Sequence, residues 1–355
     1  MYERDPLASR PGNEPRRYAT IKFVLFTMGG SALMLAGMIY LVLRHAQTHP
    51  LTFDIVTLYS VNLTELEQTL LFAAFTLAFM IKVPMVPLHT WLPDAHTQAP
   101  TAGSVILAAI LLKFGTYGYL RFGLYLLPDA AAWAAPVMLT LGVIGITYGA
   151  ICAAMQKDLK RLVAYSSVSH MGFCLLGLAS GTQAGAVGGM VQAFTHGLSS
   201  SALFLLVGVV YDRAHHRDLD GFGGLAEVMP RYCWLLLFGA LAGCGLPGLA
   251  GFVGEFAALQ SAFTASAPFP TIAAIATLAV VLAAAYLLAS YRAVATGPLR
   301  HAEHRAFADL DGRERLMLLP LAALVLFVGI WPRPLFLALQ ASCSALIQHV
   351  LGARA

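Results

Sequence analysis

The chain has 355 residues, of which 58% are hydrophobic and only 11% are charged, and its formal net charge is +4. Ordinary soluble domains carry about 25% charged residues, so this composition excludes an ordinary soluble protein and indicates a polytopic membrane protein. In such a protein the basic residues chiefly set topology, and the positive charge is no indication of nucleic-acid binding.

Apolar stretches long enough to cross a hydrocarbon core, about 20 residues each, follow one another along the chain. They predict an all-α, polytopic membrane helix bundle of about nine transmembrane helices. The predicted spans are residues 20–43, 67–88, 101–122, 132–155, 159–180, 184–211, 231–263, 270–295 and 314–336. A polar tail, residues 1–19, precedes them, and an amphipathic piece, residues 337–351, is predicted to lie on the surface.

Lysine and arginine are distributed unevenly between alternate loops. Sixteen of the 22 fall in the N-terminal tail and around the loops that follow the fourth, sixth and eighth spans. Cytoplasmic loops carry the basic excess in membrane proteins of the cell inner (plasma) membrane. The pattern therefore predicts a cytoplasmic N-terminus and a periplasmic C-terminus.

Two of the predicted spans are interrupted by helix-breaking residues, and each carries a charge. Lys82 is followed at once by prolines at positions 84 and 87, and Glu255 lies beyond a second break at residues 245–248. A third charge, Lys113, lies in the unbroken span 101–122. A lysine at the centre of a membrane helix costs about 2.5–3.5 kcal/mol on insertion scales, so these charges indicate function. Broken helices beside buried charges are typical of transporter cores.

Further polar side chains recur at helical spacing within the spans. These residues, in three of the spans, are Lys113, Thr116 and Tyr117; Ser166 and His170; and Gln192, His196, Ser199 and Ser200. His89 extends the polar face of Lys82 beyond the first break. Lysine, histidine and glutamate in a row can relay protons, so Lys82, Lys113, His196, Glu255, His170 and His89 are the candidate site residues. The alternatives are helix-to-helix hydrogen bonds for the hydroxyl and amide groups, and a structural ion pair for the charges.

The sequence offers little sign of a bound metal or cofactor. Its five cysteines are scattered with no CxxC pair and most lie in apolar segments, which predicts buried small side chains and neither a zinc nor an iron–sulfur site. Residues 221–226 match a dinucleotide-binding glycine pattern, but no strand precedes them, and we interpret the match as chance. We predict no cofactor and no metal.

Residues 82–104 and 111–118, which contain Lys82, His89, His96 and Lys113, closely resemble the antiporter-like membrane subunits of respiratory complex I. The resemblance is to the subunit M (mitochondrial subunit 4) type and runs from about residue 16 to the end of the chain. Residues 158–172, 195–199 and 254–256 support it.

The resemblance implies a proton channel built from two inverted five-helix repeats, with residues 20–122 a partial first repeat (the input half) and residues 132–295 a complete second repeat (the exit half). A last helix and tail, residues 314–355, would follow. By motif, Lys82 would be the input-half lysine, Lys113 the connecting lysine, His196 a central-axis group and Glu255 the exit-half carboxylate. The chain would be a non-redox subunit of a proton-translocating NADH:quinone oxidoreductase, with neighbouring antiporter-like subunits and the lipid bilayer as partners.

Three alternatives in function stay open: an Mrp-type cation/proton antiporter subunit, a hydrogenase membrane subunit and a non-conducting scaffold. The Mrp-type and hydrogenase membrane subunits are related and share the outline of the fold. A non-conducting scaffold is also possible, because the family's fifth helix, whose glutamate pairs with the input-half lysine, has no counterpart here. A separate chain supplying the missing helices, a truncated gene model and a degenerate remnant would each account for that difference.

Overall fold

The computed structural model describes residues 13–265 and 269–352, which are almost entirely helical. Residues 1–12 of the expected tail, and Arg354 of the topology prediction, lie outside the described residues. The helices are α1 (Asn13–His45), α2 (Ile55–Leu58), α3 (Glu65–Lys82), α4 (Trp91–Gln98), α5 (Thr101–Ile106), α6 (Leu112–Gly118), α7 (Pro128–Ala154), α8 (Leu159–Ala179), α9 (Gln183–Ala214), α10 (Pro230–Gly243), α11 (Ala250–Thr264), α12 (Phe269–Ala295), α13 (Gly312–Ile330) and α14 (Arg333–Gly352).

The predicted all-α membrane bundle is confirmed. Among the described residues, six helices are long and apolar enough to cross a membrane, and a seventh span results if α13 and α14, which meet at 71°, are counted as one. One of the six, Thr101–Leu124, contains α5 and α6 together with two π-helical stretches, Leu107–Leu111 and Tyr119–Leu124. The expected number of about nine spans is not established by this count.

The first break follows Lys82, where α3 ends. Pro84 and Pro87 have no N–H group to donate, and a proline ring clashes with the preceding helical turn, so the helix cannot continue through them. The indole N–H of Trp91, at the start of α4, donates to the carbonyl of Ile81 at 2.9 Å, so a carbonyl at the end of α3 keeps a partner.

The second break separates α10 from α11. Gly245 and Gly248 both adopt left-handed backbone conformations, with φ of +72° and +92°, which side chains with a Cβ rarely adopt. The α13 helix packs tightly here, because a Cβ at Gly329 would overlap the backbone of Gly248. Glycine therefore lets a third helix approach the break.

Two boundaries away from the predicted breaks differ most from the prediction. The first helix begins at Asn13 instead of residue 20, so residues 13–19 of the expected tail are helical. The predicted span 314–336 ends at Ile330, just before Pro332, which has no N–H group to continue the hydrogen bonds of α13, and α14 starts at Arg333. The α14 helix buries Cys343 and Leu346 against the bundle, so it does not lie freely on the surface.

The segments that carry most of the basic residues meet at one end of the bundle, which we call the basic end. Asp94 accepts from Lys22 of α1 at 2.8 Å and lies 3.6 Å from Arg161 of α8. Arg213, at the end of α9, forms an ion pair of 2.8 Å with Glu314 at the start of α13. Alternation of the loops between two ends therefore agrees with the distribution of charge along the sequence.

Candidate functional site

Lys113 and His196 are in direct contact. The Lys113 ammonium lies 2.7 Å from Nδ1 of His196 and also donates to the Ala108 carbonyl at 2.5 Å. Ala108 belongs to the π-helical stretch that ends just before α6, and such widened turns recur at functional sites. On α9, Gly197 faces the lysine, and a Cβ there would make an ordinary contact of 3.7 Å with Lys113 Cε.

His170 and Glu255 form the second contact. Nδ1 of His170, on α8, lies 2.7 Å from Oε1 of Glu255, on α11 beyond the second break. Both side chains are almost fully buried, at 7% and 6% exposure. Gly245 lies close to this carboxylate, because a Cβ at that position would lie 2.8 Å from Oε2 of Glu255 and would displace it. The break thus places its backbone against the carboxylate.

The two contacts meet through the histidine rings. The ring centroids of His170 and His196 are 5.6 Å apart, so the two rings are direct neighbours. Lys113, His196, His170 and Glu255 therefore form a continuous row from α6 through α9 and α8 to α11. We call these four residues the buried line.

Lys82 lies beside the buried line without joining it. A Cβ at Gly115, two residues from Lys113, would lie 2.9 Å from Lys82 Cβ, so the end of α3 packs directly on α6. The Lys82 side chain is half-buried and forms no hydrogen bond or ion pair with any residue of the ranges 13–265 and 269–352. These residues therefore supply no acidic partner for the predicted role of Lys82 as the input-half lysine.

His89 is buried in a different neighbourhood. It is 3% exposed and packs edge-on against Tyr148, with ring centroids 5.1 Å apart. Its Nδ1 has no hydrogen-bond partner among the described residues. The structure therefore brings together four of the six candidate residues and leaves Lys82 and His89 apart from them.

Most hydroxyl groups near the buried line satisfy helix carbonyls. Ser200 donates to the His196 carbonyl at 2.6 Å and Ser166 to the Val163 carbonyl at 2.8 Å, each within its own helix. Ser169 donates across to Ile146 of α7 at 2.8 Å. The expected helix-to-helix hydrogen bond is therefore found for Ser169, whereas Ser166 and Ser200 bond within their own helices.

One buried polar residue near the first break was not among the candidate site residues chosen from the sequence. His96 of α4 is fully buried and stacks on Phe204 of α9, with ring centroids 4.4 Å apart. Neither ring nitrogen has a hydrogen-bond partner among the described residues. The spacing of seven residues between His89 and His96 was a usable signal, because it repeats the spacing between Lys82 and His89.

The cysteines do not assemble into a ligand set. Within the described residues all five are free, and no group of three or more histidine, cysteine, aspartate or glutamate side chains is arranged to hold a metal ion. The residues of the buried line can exchange protons. Lysine and imidazole nitrogens and a carboxylate, held in two hydrogen-bonded pairs away from bulk water, can exchange protons within each pair.

The chain matches known membrane proteins over most of its length. A family model described as "NADH:quinone oxidoreductase/Mrp antiporter, TM" matches residues 7–283. NADH-quinone oxidoreductase subunit M of Pseudomonas aeruginosa is 45% identical over 347 residues, which are 98% of this chain and 67% of that protein. NADH-ubiquinone oxidoreductase chain 4 of Marchantia polymorpha is 42% identical over 331 residues, covering 93% of this chain and 65% of the relative. The chain thus spans about two thirds of the length of these relatives.

Solved structures agree. A chain of respiratory complex I from Thermus thermophilus has a TM-score of 0.87 and 35% identity, covering 94% of this chain and 70% of that chain. The Mrp complex from Dietzia sp. DQ12-45-1b gives a TM-score of 0.80 at 20% identity, covering 95% of this chain and 70% of that chain, which shows the shared fold alone. The complex I type is therefore better supported than the Mrp type.

The predicted resemblance to antiporter-like membrane subunits of complex I is confirmed by these matches. The chain belongs to the NADH:quinone oxidoreductase/Mrp antiporter family of membrane subunits.

Proposed function

We propose that this chain is a non-redox, proton-translocating membrane subunit of an NADH:quinone oxidoreductase. Quinone reduction elsewhere in the complex would drive a proton through the buried line. The observation that carries this proposal is the pair of 2.7 Å contacts, Lys113 with His196 and His170 with Glu255, whose histidine ring centroids lie 5.6 Å apart. The names of the relatives, which are subunits of NADH-quinone oxidoreductase, support the same assignment.

In this mechanism each residue takes one step. Lys113 delivers a proton to Nδ1 of His196 through their hydrogen bond, and the freed amine stays held by the Ala108 carbonyl. The proton crosses from His196 to His170, and His170 passes its Nδ1 proton to the Glu255 carboxylate. Histidine suits the two central positions because its imidazole gains and loses a proton near neutral pH. Glu255 then releases the proton at the exit half.

Lys82 would act on the input side. Its position against α6 lets a change in its charge be felt at Lys113, since opposite and like charges nearby shift proton affinity in opposite directions. An acidic partner would come from a part of the complex outside the described residues, on a neighbouring antiporter-like subunit or a separate chain. The basic end would face the cytoplasm, with the protein in the cell inner (plasma) membrane, because basic loops are retained on that side.

Replacement of Lys113 tests the proposal. In the purified complex reconstituted into sealed vesicles, Lys113→Ala should abolish or sharply reduce NADH-driven proton translocation, because a group that passes the proton on is lost. Proton translocation is measured with a pH-sensitive dye, and the quinone reduction rate is measured in the same vesicles. Lys157→Ala, which removes an exposed lysine at the basic end, is the matched control and should pump normally.

A Lys113→Ala complex that assembles fully and pumps at the original rate would exclude this route. If Lys82→Ala and Glu255→Gln also left turnover-linked proton movement untouched, the chain would be a non-conducting scaffold.

A further inference from the structure

A polar cavity at the basic end is separate from the buried line. It has a volume of about 350 Å³ and lies between the end of α4, the start of α5, the start of α8 and the end of α9. Three cationic side chains line it, Arg16, Lys160 and Arg217, against one lining carboxylate, Asp212. The cavity wall therefore carries an excess of positive charge.

Lys160 is the most buried of these cations. It is 4% exposed, and its ammonium donates to the Ala99 carbonyl at 2.5 Å. An ammonium has three protons to donate, and no carboxylate among residues 13–265 and 269–352 lies within ion-pair distance of this one. A buried charge left without an opposite charge is costly, so an anion in the cavity would lower the free energy of the folded state.

Arg217, in the same cavity wall, uses only part of its guanidinium group for contacts with the protein. Its Nη1 donates to the Thr97 carbonyl at 2.9 Å, and its Nε lies 3.2 Å from a carboxylate oxygen of Asp158. A guanidinium carries five N–H groups, so part of its fork stays free for an anion in the cavity. Arg16, exposed at the start of α1, lines the same cavity and can close over a bound group.

The helix that begins at the cavity adds to the positive potential. Pro100 and Thr101 line the cavity and start the 24-residue span Thr101–Leu124. Pro100 makes no side-chain capping bond, so the N–H groups of the first turn are left for another acceptor. Helix N-termini attract anions through these groups and through the helix dipole.

We propose that this cavity binds the phosphate group of an anionic phospholipid. Its position at the end of the apolar spans is the level of lipid headgroups, where basic pockets between helices hold anionic lipids. Arginine and lysine together recognise phosphate by paired hydrogen bonds and by charge. Free phosphate offers the same chemistry, so the test separates the two sources.

The test uses the whole purified complex after delipidation in detergent. A photoreactive phosphatidylglycerol is titrated and crosslinked, and labelling of the peptides around residues 97–101 and 208–217 is measured by mass spectrometry. We expect saturable labelling that unlabelled phosphatidylglycerol displaces and phosphatidylcholine does not. Arg217→Gln and Arg16→Gln should each weaken half-saturation by about tenfold, the usual effect of losing a charge-assisted hydrogen bond.

Two further variants make the result specific. Arg231→Gln removes an exposed arginine at the same end, outside the cavity, and should label like the original complex. Arg217→Lys keeps the charge and should recover most of the labelling, which separates anion binding from a packing defect. Normal assembly of the complex and normal quinone reduction are checked for each variant.

Two results would overturn the proposal. Labelling that is unchanged in both cavity variants, or that phosphatidylcholine displaces equally well, would mean that the cavity does not select an anionic headgroup. Displacement by inorganic phosphate at the same concentration as phosphatidylglycerol would assign the cavity to the free ion and exclude the lipid.

Discussion

Gly245 and Gly248 at the second break share a backbone conformation and differ in what surrounds them. Both have positive φ, but a Cβ at Gly245 would lie 2.8 Å from Glu255 Oε2, whereas nothing lies within 4 Å of a Cβ at Gly248. We expect Gly245→Ala and Gly248→Ala to lose similar stability, about 1–2 kcal/mol, from backbone strain. Only Gly245→Ala should displace the carboxylate and slow NADH-driven acidification of vesicles. Equal pumping by two comparably destabilised variants would argue against a role for Glu255 in proton transfer.

The members of the buried line are visible in the sequence because each places a titratable group in an apolar span. Their partners are not visible. Helical spacing shows which residues share a face of one helix, but the pairs Lys113 with His196 and His170 with Glu255 join different helices. For the same reason the spacing that links His89 to Lys82 did not bring His89 to the line. The roles of all six residues stay predictions.

At the scale of elements, three histidines from two loops lie close together at the basic end. His216 follows α9, and His301 and His304 precede α13, with the ring of His304 5.8 Å from His216 and 5.1 Å from His301. Burial, together with His301 and His216, lowers the pKa of His304, so its neutral form is favoured in the folded protein. Stability should therefore be complete above the unfolded histidine pKa of about 6.5 and fall as the pH drops below it.

His304→Gln should flatten this acid sensitivity, since glutamine has no proton to gain. Thermal unfolding of the complex between pH 7.5 and 5.5 measures the effect. His49→Gln, an exposed histidine beyond the other end of α1, should leave the pH dependence unchanged. A His304→Gln complex that loses stability with acid as steeply as the original would show that this cluster does not titrate on unfolding.

The two breaks beside the charges could be predicted, because Pro84 and Pro87 follow Lys82 and two glycines flank Pro247, and such clusters favour the end of a helix. The bend between α13 and α14 was not predicted. Pro332 falls near the end of a continuous apolar stretch, where a hydropathy window cannot distinguish a helix that ends from one that turns by 71°. The π-helical stretch 107–111 has the composition of an ordinary helix, so the sequence gives no sign of it.

At the scale of the whole molecule, hydropathy predicted the fold class, since apolar stretches of about 20 residues have the length of membrane helices, which satisfy their own backbone hydrogen bonds. The predicted topology rests on the distribution of basic residues, and in the structure the segments carrying them meet at one end. The arrangement of helices around the line depends on packing. Close approaches such as that of Gly149 to the backbone of Ser169 are set by tertiary geometry that composition does not encode.

The chemistry of the buried line also bears on which ion moves. Lys113, His196 and His170 offer nitrogen atoms, and Glu255 alone offers a carboxylate. Alkali and other hard cations prefer several oxygen ligands, so we expect protons and not sodium to travel along this line. NADH-driven acidification in sealed vesicles should keep its rate when potassium replaces sodium at constant ionic strength.

The Lys113→Ala complex, measured in both salts, gives the background that does not pass through the line. An acidification rate that rises with sodium concentration, together with a pH change driven by a sodium gradient in the absence of NADH, would favour an Mrp-type cation/proton antiporter subunit instead. Both effects would then have to disappear in Lys113→Ala for the buried line to be the sodium-coupled path. If they persisted, sodium would be moving elsewhere in the complex, and the assignment of the line to protons would stand.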